Sequence, residues 1–185
     1  MRILYARDRV AVPWKNGGGT TSEVAAHPAG AGFDTFGWRV SIARVERGGP
    51  FSIFPGIDRR IGLFEGRMKL AITGQGDVEL SSASAPLAFP GDAKTECELI
   101  EPVTDLNVMT RRGKFASRME RRILRDVTTL NPAALMFAFP LFAVMVRSGE
   151  AEYPLVPGDA IFADAPQDVA LSAPTEFFWI EIFPV

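Results

Sequence analysis

Hydrophobic residues in this chain recur at every second position over short runs, and Pro or Gly separates one run from the next. Over residues 36–44 the alternation is clean: Trp38, Val40 and Ile42 fall on one face, Arg39, Ser41 and Ala43 on the other. A period of two belongs to a strand with two distinct faces. Bulky apolar residues opposite Arg39 and Ser41 fit a barrel wall whose polar face lines a cavity, and an arginine facing bulk solvent fits as well. The same pattern predicts strands at 2–5, 21–25, 61–64 and 68–73, the last two parted by a turn at Glu65-Gly66. Beyond Glu96 it resumes, placing Asp105, Asn107, Met109 and Arg111 on one face of a strand that ends at Arg111-Arg112-Gly113. Such a face suits a site wall, or a solvent-facing edge strand.

Residues 115–126 are ambiguous. Phe115, Met119 and Ile123 suit a helix, whereas Met119, Arg121 and Ile123 suit a strand, and the surroundings favour an extended crossover. Strands are expected again at 135–139, 141–146, 159–162 and 177–183. Gly and Pro number 17 and 14 and are spread throughout, as in a fold of short strands and tight turns. Residues 28–32, 55–58 and 81–86 are the clearest connections. Leu87-Ala88-Phe89-Pro90-Gly91-Asp92-Ala93 is echoed by Leu155-Val156-Pro157-Gly158-Asp159-Ala160. A Pro-Gly-Asp turn used once per half predicts two similar β-barrel or jelly-roll units in one chain.

Composition bounds what these elements can do. The 185 residues fit one domain or two small fused halves, and 47% hydrophobic residues with 14 Phe supply an ample core. A net charge of −2 gives no electrostatic case for nucleic acid or an anionic membrane surface. The single Cys97 excludes a disulfide framework and points to a reducing cytoplasm. Arg2, Arg7, Asp8 and Arg9 interrupt any N-terminal signal region. The low-charge run 127–146 contains Asn131, Pro132 and Pro140, so it reads as buried strands rather than a membrane span.

The densest chemistry is Trp14-Lys15-Asn16-Gly17-Gly18-Gly19-Thr20-Thr21-Ser22-Glu23. Three glycines beside so many polar groups suggest a backbone folded close to a ligand, although a flexible hairpin also fits. A phosphate loop would place its Lys after the glycines, and here Lys15 precedes them. Metal chemistry is not expected: the chain holds one histidine, His27, followed by Pro28, with no carboxylate pair at ligand spacing. Ser22, Ser41 and Ser52 lack a base other than His27, and Cys97 lies between Glu96 and Glu98, which raises a thiol pKa. Recognition of a small anionic or amphoteric molecule is what the residues permit, with no cofactor. Arg39, Arg59 and Arg111 offer planar donors for a carboxylate, and Lys15 a point charge. Trp14, Trp38, Phe51 and Phe54 offer ring faces, while Asn16, Thr20, Glu23, Ser41, Ser52 and Asn107 can fix orientation. The glycine loop is expected to face the strand of Arg39 across the cavity of the first barrel.

Five blocks in order carry a family resemblance. Pro13 to Thr20, Trp38-Arg39-Val40-Ser41-Ile42-Ala43, Gly49 to Arg59, Phe89-Pro90-Gly91-Asp92 and Asp105 to Arg111 resemble the HutD/Ves family, most densely from Pro13 to Gly113. Membership implies an all-β bicupin: two cupin-type, jelly-roll-like β-barrels, at 1–113 and 114–185, with strands open to exchange between halves. It also implies a cytoplasmic bacterial protein without metal-binding histidines. HutD-like members are thought to moderate histidine utilisation by binding urocanate or its formylated breakdown product, whereas Ves-like relatives are associated with cold or stress responses. The leading expectation is therefore a non-enzymatic regulator with a pocket in the N-terminal barrel. The alternative is a metal-independent isomerase or lyase using Glu23 or Lys15 as base. A third role, a homodimer paired through Phe177, Phe178, Trp179 and Phe183, competes with those rings being ordinary core.

Overall fold

The computed structural model of the chain describes residues 1–130 and 135–185; Asn131 and Pro132 lie outside the described residues. Two compact units are formed, one by Met1–Asp8 with Ser117–Pro184, the other by Arg9–Ala116 with Val185. The described residues are all-β apart from one 3-10 turn at Ala6–Asp8. No helix among them is long and apolar enough to cross a membrane.

The chain opens with β1 (Arg2–Leu4), which belongs to the unit built by the second half. The other unit follows: β2 (Ala11–Pro13), β3 (Gly19–His27), β4 (Trp38–Val45), β5 (Gly49–Pro50), β6 (Ile57–Ile72), β7 (Gly76–Ser81), β8 (Leu87–Pro90) and β9 (Thr95–Arg111). These eight strands make one sheet in the order β2-β3-β4-β9-β6-β7, with β5 on β9 and β8 on β6. Its strands pair antiparallel, and the long ribbon formed by β6 and β9 is its spine.

Residues 61–73 depart from the expected pair of strands. Glu65 and Gly66 do not turn the chain; they are bulges within the single strand β6, whose register shifts between Leu63 and Met68. Gly66 sits at φ +83, and a Cβ there would lie 2.0 Å from the Pro102 carbonyl oxygen. An extra residue on one strand bends the sheet without ending it, which composition alone does not distinguish from a turn.

Residues 115–124 are extended, as β10 (Phe115–Leu124), and the chain bends at Asp126 (φ 46). The remaining strands are β11 (Val127–Leu130), β12 (Leu135–Pro140), β13 (Val144–Ser148), β14 (Ala151–Leu155), β15 (Ala160–Ala163), β16 (Gln167–Leu171) and β17 (Thr175–Pro184). They form a five-stranded sheet, β1-β15-β12-β17-β10, and a four-stranded sheet, β11-β16-β13-β14. The strand expected at 141–146 starts later, at Val144, and Phe142 is exposed. The core of this unit includes Leu130, Met136, Val146, Ile161, Val169, Phe177 and Trp179. Phe177, Phe178 and Trp179 are thus interior residues.

The two Pro-Gly-Asp segments both turn the chain before a strand, but by different means. Pro157 and Gly158 (φ 96) fill the centre of a turn closed by Asp159 N–H donating to Val156 O, as a type II turn requires. Buried Asp159 then accepts from Ala6 N–H at 2.7 Å and Val156 N–H at 3.0 Å, which fastens the N-terminal segment. Around Gly91 the closing bond is instead Ala93 N–H to Pro90 O, and Asp92 accepts from Arg112 at 3.1 Å. Arg112 also donates to Asp58 at 2.7 Å, tying the end of β9 to the start of β6.

Candidate functional site

Strand register decides which side chains meet. Residues paired across neighbouring strands share a face, and alternate residues along a strand return to it about 7 Å further on. Three consecutive rows of the eight-stranded sheet follow. Arg39, Met109, Arg59 and Phe89 form the first; Glu23, Ser41, Asn107 and Ile61 the second; Thr21, Ala43, Asp105 and Leu63 the third. The face carries apolar core at Ala43, Ile61, Leu63 and Phe89, so its polar members are set among hydrocarbon.

Arg59 and Asp105 are 6% and 4% exposed. The Arg59 guanidinium lies 5.0, 5.1 and 5.7 Å from the centroids of Phe51, Phe89 and Phe54. Three rings compensate part of the cost of burying a cation, each by about 0.5–2 kcal/mol. Yet Arg59 Nε, Asn107 Oδ1 and Asp105 Oδ1 are buried without a hydrogen-bond partner among the described residues. Leaving such an atom unsatisfied costs roughly 1–3 kcal/mol, and more when the group is charged. Burial lowers the Arg59 pKa to about 10, opposed by the nearby Asp105 charge. Burial likewise pushes the Asp105 carboxyl up to about 7, with Arg59 pulling the other way.

Arg39 is handled differently. Its Nε donates to Glu23 Oε2 at 2.9 Å, and its guanidinium lies 4.7 Å from the Phe33 centroid. Phe33 in turn meets Phe54 at 5.6 Å, so the segments around residues 33 and 54 converge beside Arg39 and Arg59. The segment of Phe51 and Phe54 is not a strand; it is pinned by Phe51 N–H to Thr95 O and Phe54 N–H to Gly91 O.

The other expected site residues are not gathered with these. Arg111 donates to Phe36 O at 2.9 Å and Asp34 O at 3.0 Å, which fixes the 32–36 loop. Thr20 pairs with Arg44 on the opposite side of the sheet, and its neighbour Thr21 is the residue on the site face, where it accepts from Trp14 Nε1 at 2.7 Å. Lys15 and Ser52 are exposed. Asn16 Oδ1 accepts from Gly18 N–H, which helps hold the hairpin turn. His27 stacks on Trp38, with centroids 6.0 Å apart.

The glycine loop does not face Arg39. It is the hairpin between β2 and β3, closed by Trp14 N–H to Gly19 O, and it packs on the opposite end of β4. Glu46 and Arg47 N–H both donate to Gly18 O, and a Cβ at Gly19 would lie 2.3 Å from Arg44 O. Arg39 is then about 20 Å away along the strand. The glycines permit a left-handed turn at Gly17 (φ 68) and close strand contact at Gly19. Thr21, Phe33 and Phe89 join the site although sequence pattern did not select them for it, and nothing local marks Phe33. Asp105 lies on the strand face that alternation marked as a site wall, although it was not among the expected ligand-binding residues.

In its fold the chain is cupin-like, as comparison with a solved structure shows. A cupin 2 conserved barrel domain protein from Leptotrichia buccalis aligns with TM-score 0.65 over 98% of this chain and 96% of its own, at 10% identity. The chain belongs to the HutD family, whose model matches residues 6–179. A 21.2 kDa protein in the hutC 3′ region of Pseudomonas putida is 37% identical over 122 residues, 65% of this chain and 63% of that protein. Protein Ves of Citrobacter koseri is 35% identical over 117 residues, 57% of this chain and 56% of that protein. The chain thus matches less than two thirds of the length of either relative. The structure of HutD from Pseudomonas fluorescens SBW25, in a formate condition, aligns with TM-score 0.80 at 28% identity, covering 100% of this chain and 98% of its own. A conserved protein of unknown function from Pseudomonas aeruginosa aligns with TM-score 0.83 at 30% identity, over 98% and 97% of the two chains.

Proposed function

We propose that this protein binds a small carboxylate on Arg59, inside the unit formed by Arg9–Ala116, and moderates histidine utilisation in the cytoplasm by doing so. The observation that carries the reading is the set of buried, unpartnered polar atoms on one sheet face, Arg59 Nε, Asn107 Oδ1 and Asp105 Oδ1. A folded chain retains such costs where a bound group offsets them. Guanidinium is the natural partner of a carboxylate, and the rings of Phe51, Phe54 and Phe89 suit a flat ligand. Membership of the HutD family and a relative beside hutC support urocanate or a formylglutamate-like intermediate as the ligand. On this reading the two units are the two cupin-type barrels of a bicupin. Calorimetric titration with urocanate, formylglutamate and formate tests it: saturable binding that Arg59→Ala abolishes is expected. Binding to none of the three, or binding unchanged in Arg59→Ala, would overturn it.

One observation favours a second reading, a metal-independent isomerase or lyase. A buried carboxyl titrating near neutrality is what acid–base catalysis uses, and Asp105 is pushed up to about 7 by burial. Glu23 and Lys15 suit the role less, since Glu23 is exposed and paired with Arg39, and Lys15 is exposed. Turnover of the same compounds by the purified protein, lost in Asp105→Asn, would establish an enzyme; inertness across the panel leaves the binding role.

A further inference from the structure

The eight-stranded sheet ends in β2 on one side and β7 on the other, and the two edges differ in kind. β7 presents the exposed carboxylates Asp77 and Glu79, and such charges discourage another strand from adding there. β2 has no such guard. From Val10 to Trp14 the chain carries no charge, and the Val10 and Val12 side chains are 79% and 60% exposed.

The hydrogen-bond phase fixes what the free edge of β2 offers. Trp14 N–H donates to Gly19 O, so Trp14 and Gly19 are a hydrogen-bonded pair, and two residues on Val12 and Thr21 are another. Ala11 and Pro13 stand in the alternate pairs, so their peptide groups point away from β3. No strand among the described residues lies beyond them. Pro13 has no N–H and the chain bends at Arg9, so an added strand finds a short edge centred on Ala11.

We propose that this edge pairs with the same edge of a second copy, antiparallel about a two-fold axis through Ala11. Ala11 N–H of each copy then donates to Ala11 O of the other, and Val10 of each packs against Val12 of the other. The edge is its own complement, as a two-fold contact requires. In this register Val10 to Val12 ask no donor of Pro13, and no charged side chain enters the paired segment. A longer foreign strand running past Pro13 loses a ladder bond there. The edge engages a few residues per copy, against about 20–30 a side in a stable interface, so the dimer is weak and concentration-dependent.

Sedimentation equilibrium of the full chain from about 10 μM to about 1 mM tests the proposal. Wild type is expected to shift from monomer towards dimer across that range. Val12→Lys puts a charge on the edge at an exposed position and is expected to weaken dimerisation about tenfold or more. Val156→Lys, also exposed, is the control and leaves it unchanged. Ala11→Cys is expected to give a disulfide-linked dimer under mild oxidation, because a hydrogen-bonded pair holds its Cα atoms about 5.5 Å apart, within disulfide reach. The native Cys97 is buried and does not compete. A wild-type monomer at about 1 mM overturns the proposal. So does a dimer that Val12→Lys leaves intact, or an Ala11→Cys chain that cross-links no faster than Val156→Cys.

Discussion

Arg59 and Asp105 project from neighbouring strands onto the same face of one sheet, two rows apart, both enclosed and with no ion pair between them among the described residues. A buried pair in contact would be a structural strut, whose breaking costs about 3–5 kcal/mol. A buried arginine held among rings, with Nε unpartnered, contributes little of that kind. Arg59→Met is therefore expected to unfold within about 1 kcal/mol of wild type in denaturant titration, yet to lose carboxylate affinity by about a hundredfold. Arg59→Lys is expected not to restore it, since a point charge lacks the planar fork. A large loss of stability in Arg59→Met would make the residue structural instead.

The Asp105 carboxyl gives a pH signature. In the unfolded chain it ionises near its ordinary 3.8, and in the fold burial holds its proton up to about 7. Between those values the folded state binds the extra proton, so this group's contribution to stability falls as pH rises. Asp105→Asn removes that titration. The Tm of the variant minus that of wild type is expected to be larger at pH 8 than at pH 5, by several degrees, given about 2–4 °C per kcal/mol at this chain length. A difference independent of pH would contradict the placement of Asp105.

Gly66 should be among the least replaceable residues outside the site. Its φ of +83, and a Pro102 oxygen only 2.0 Å from where a Cβ would stand, leave no room for a side chain. Gly66→Ala is expected to cost about 3 kcal/mol or more in equilibrium unfolding, by shifting β6 against β9 at the bulge. Gly74→Ala, at a positive-φ glycine whose Cβ would meet nothing within 4 Å, is the control and should cost less.

Cys97 is buried, and its thiol lies 3.7 Å from the Met68 sulfur. Burial pushes its pKa up to about 11, and the Asp105 charge adds to the rise. The native protein is expected to react with a thiol reagent such as 5,5′-dithiobis(2-nitrobenzoate) at pH 8 far more slowly than the denatured chain. Rapid, stoichiometric native labelling would contradict the packing around β9.

The alternation of Trp38, Val40 and Ile42 against Arg39 and Ser41 is enough to locate β4, and the same rule locates the face that carries Asp105 and Asn107. Strand period is a local property, so it is written in neighbouring residues. The role of the glycine run is not, because Gly19 is small for the sake of Arg44, a residue far along the chain. Arg111 and Arg59 look alike in sequence, but one is committed to the carbonyls of Asp34 and Phe36 while the other is caged by three phenylalanines. Which arginine keeps an unpartnered donor depends on pairing across β6 and β9 and on loops that fold over the sheet. The bulge at Gly66 is hidden for the same reason: what forbids a side chain there is Pro102 on the facing strand.

The most direct test of carboxylate binding at Arg59 is a crystal structure of the protein saturated with urocanate. Ligand density is predicted on the face shared by β4, β9 and β6, its carboxylate within about 3 Å of the Arg59 guanidinium. Density bound elsewhere, with Arg59 Nε still unpartnered, would contradict it.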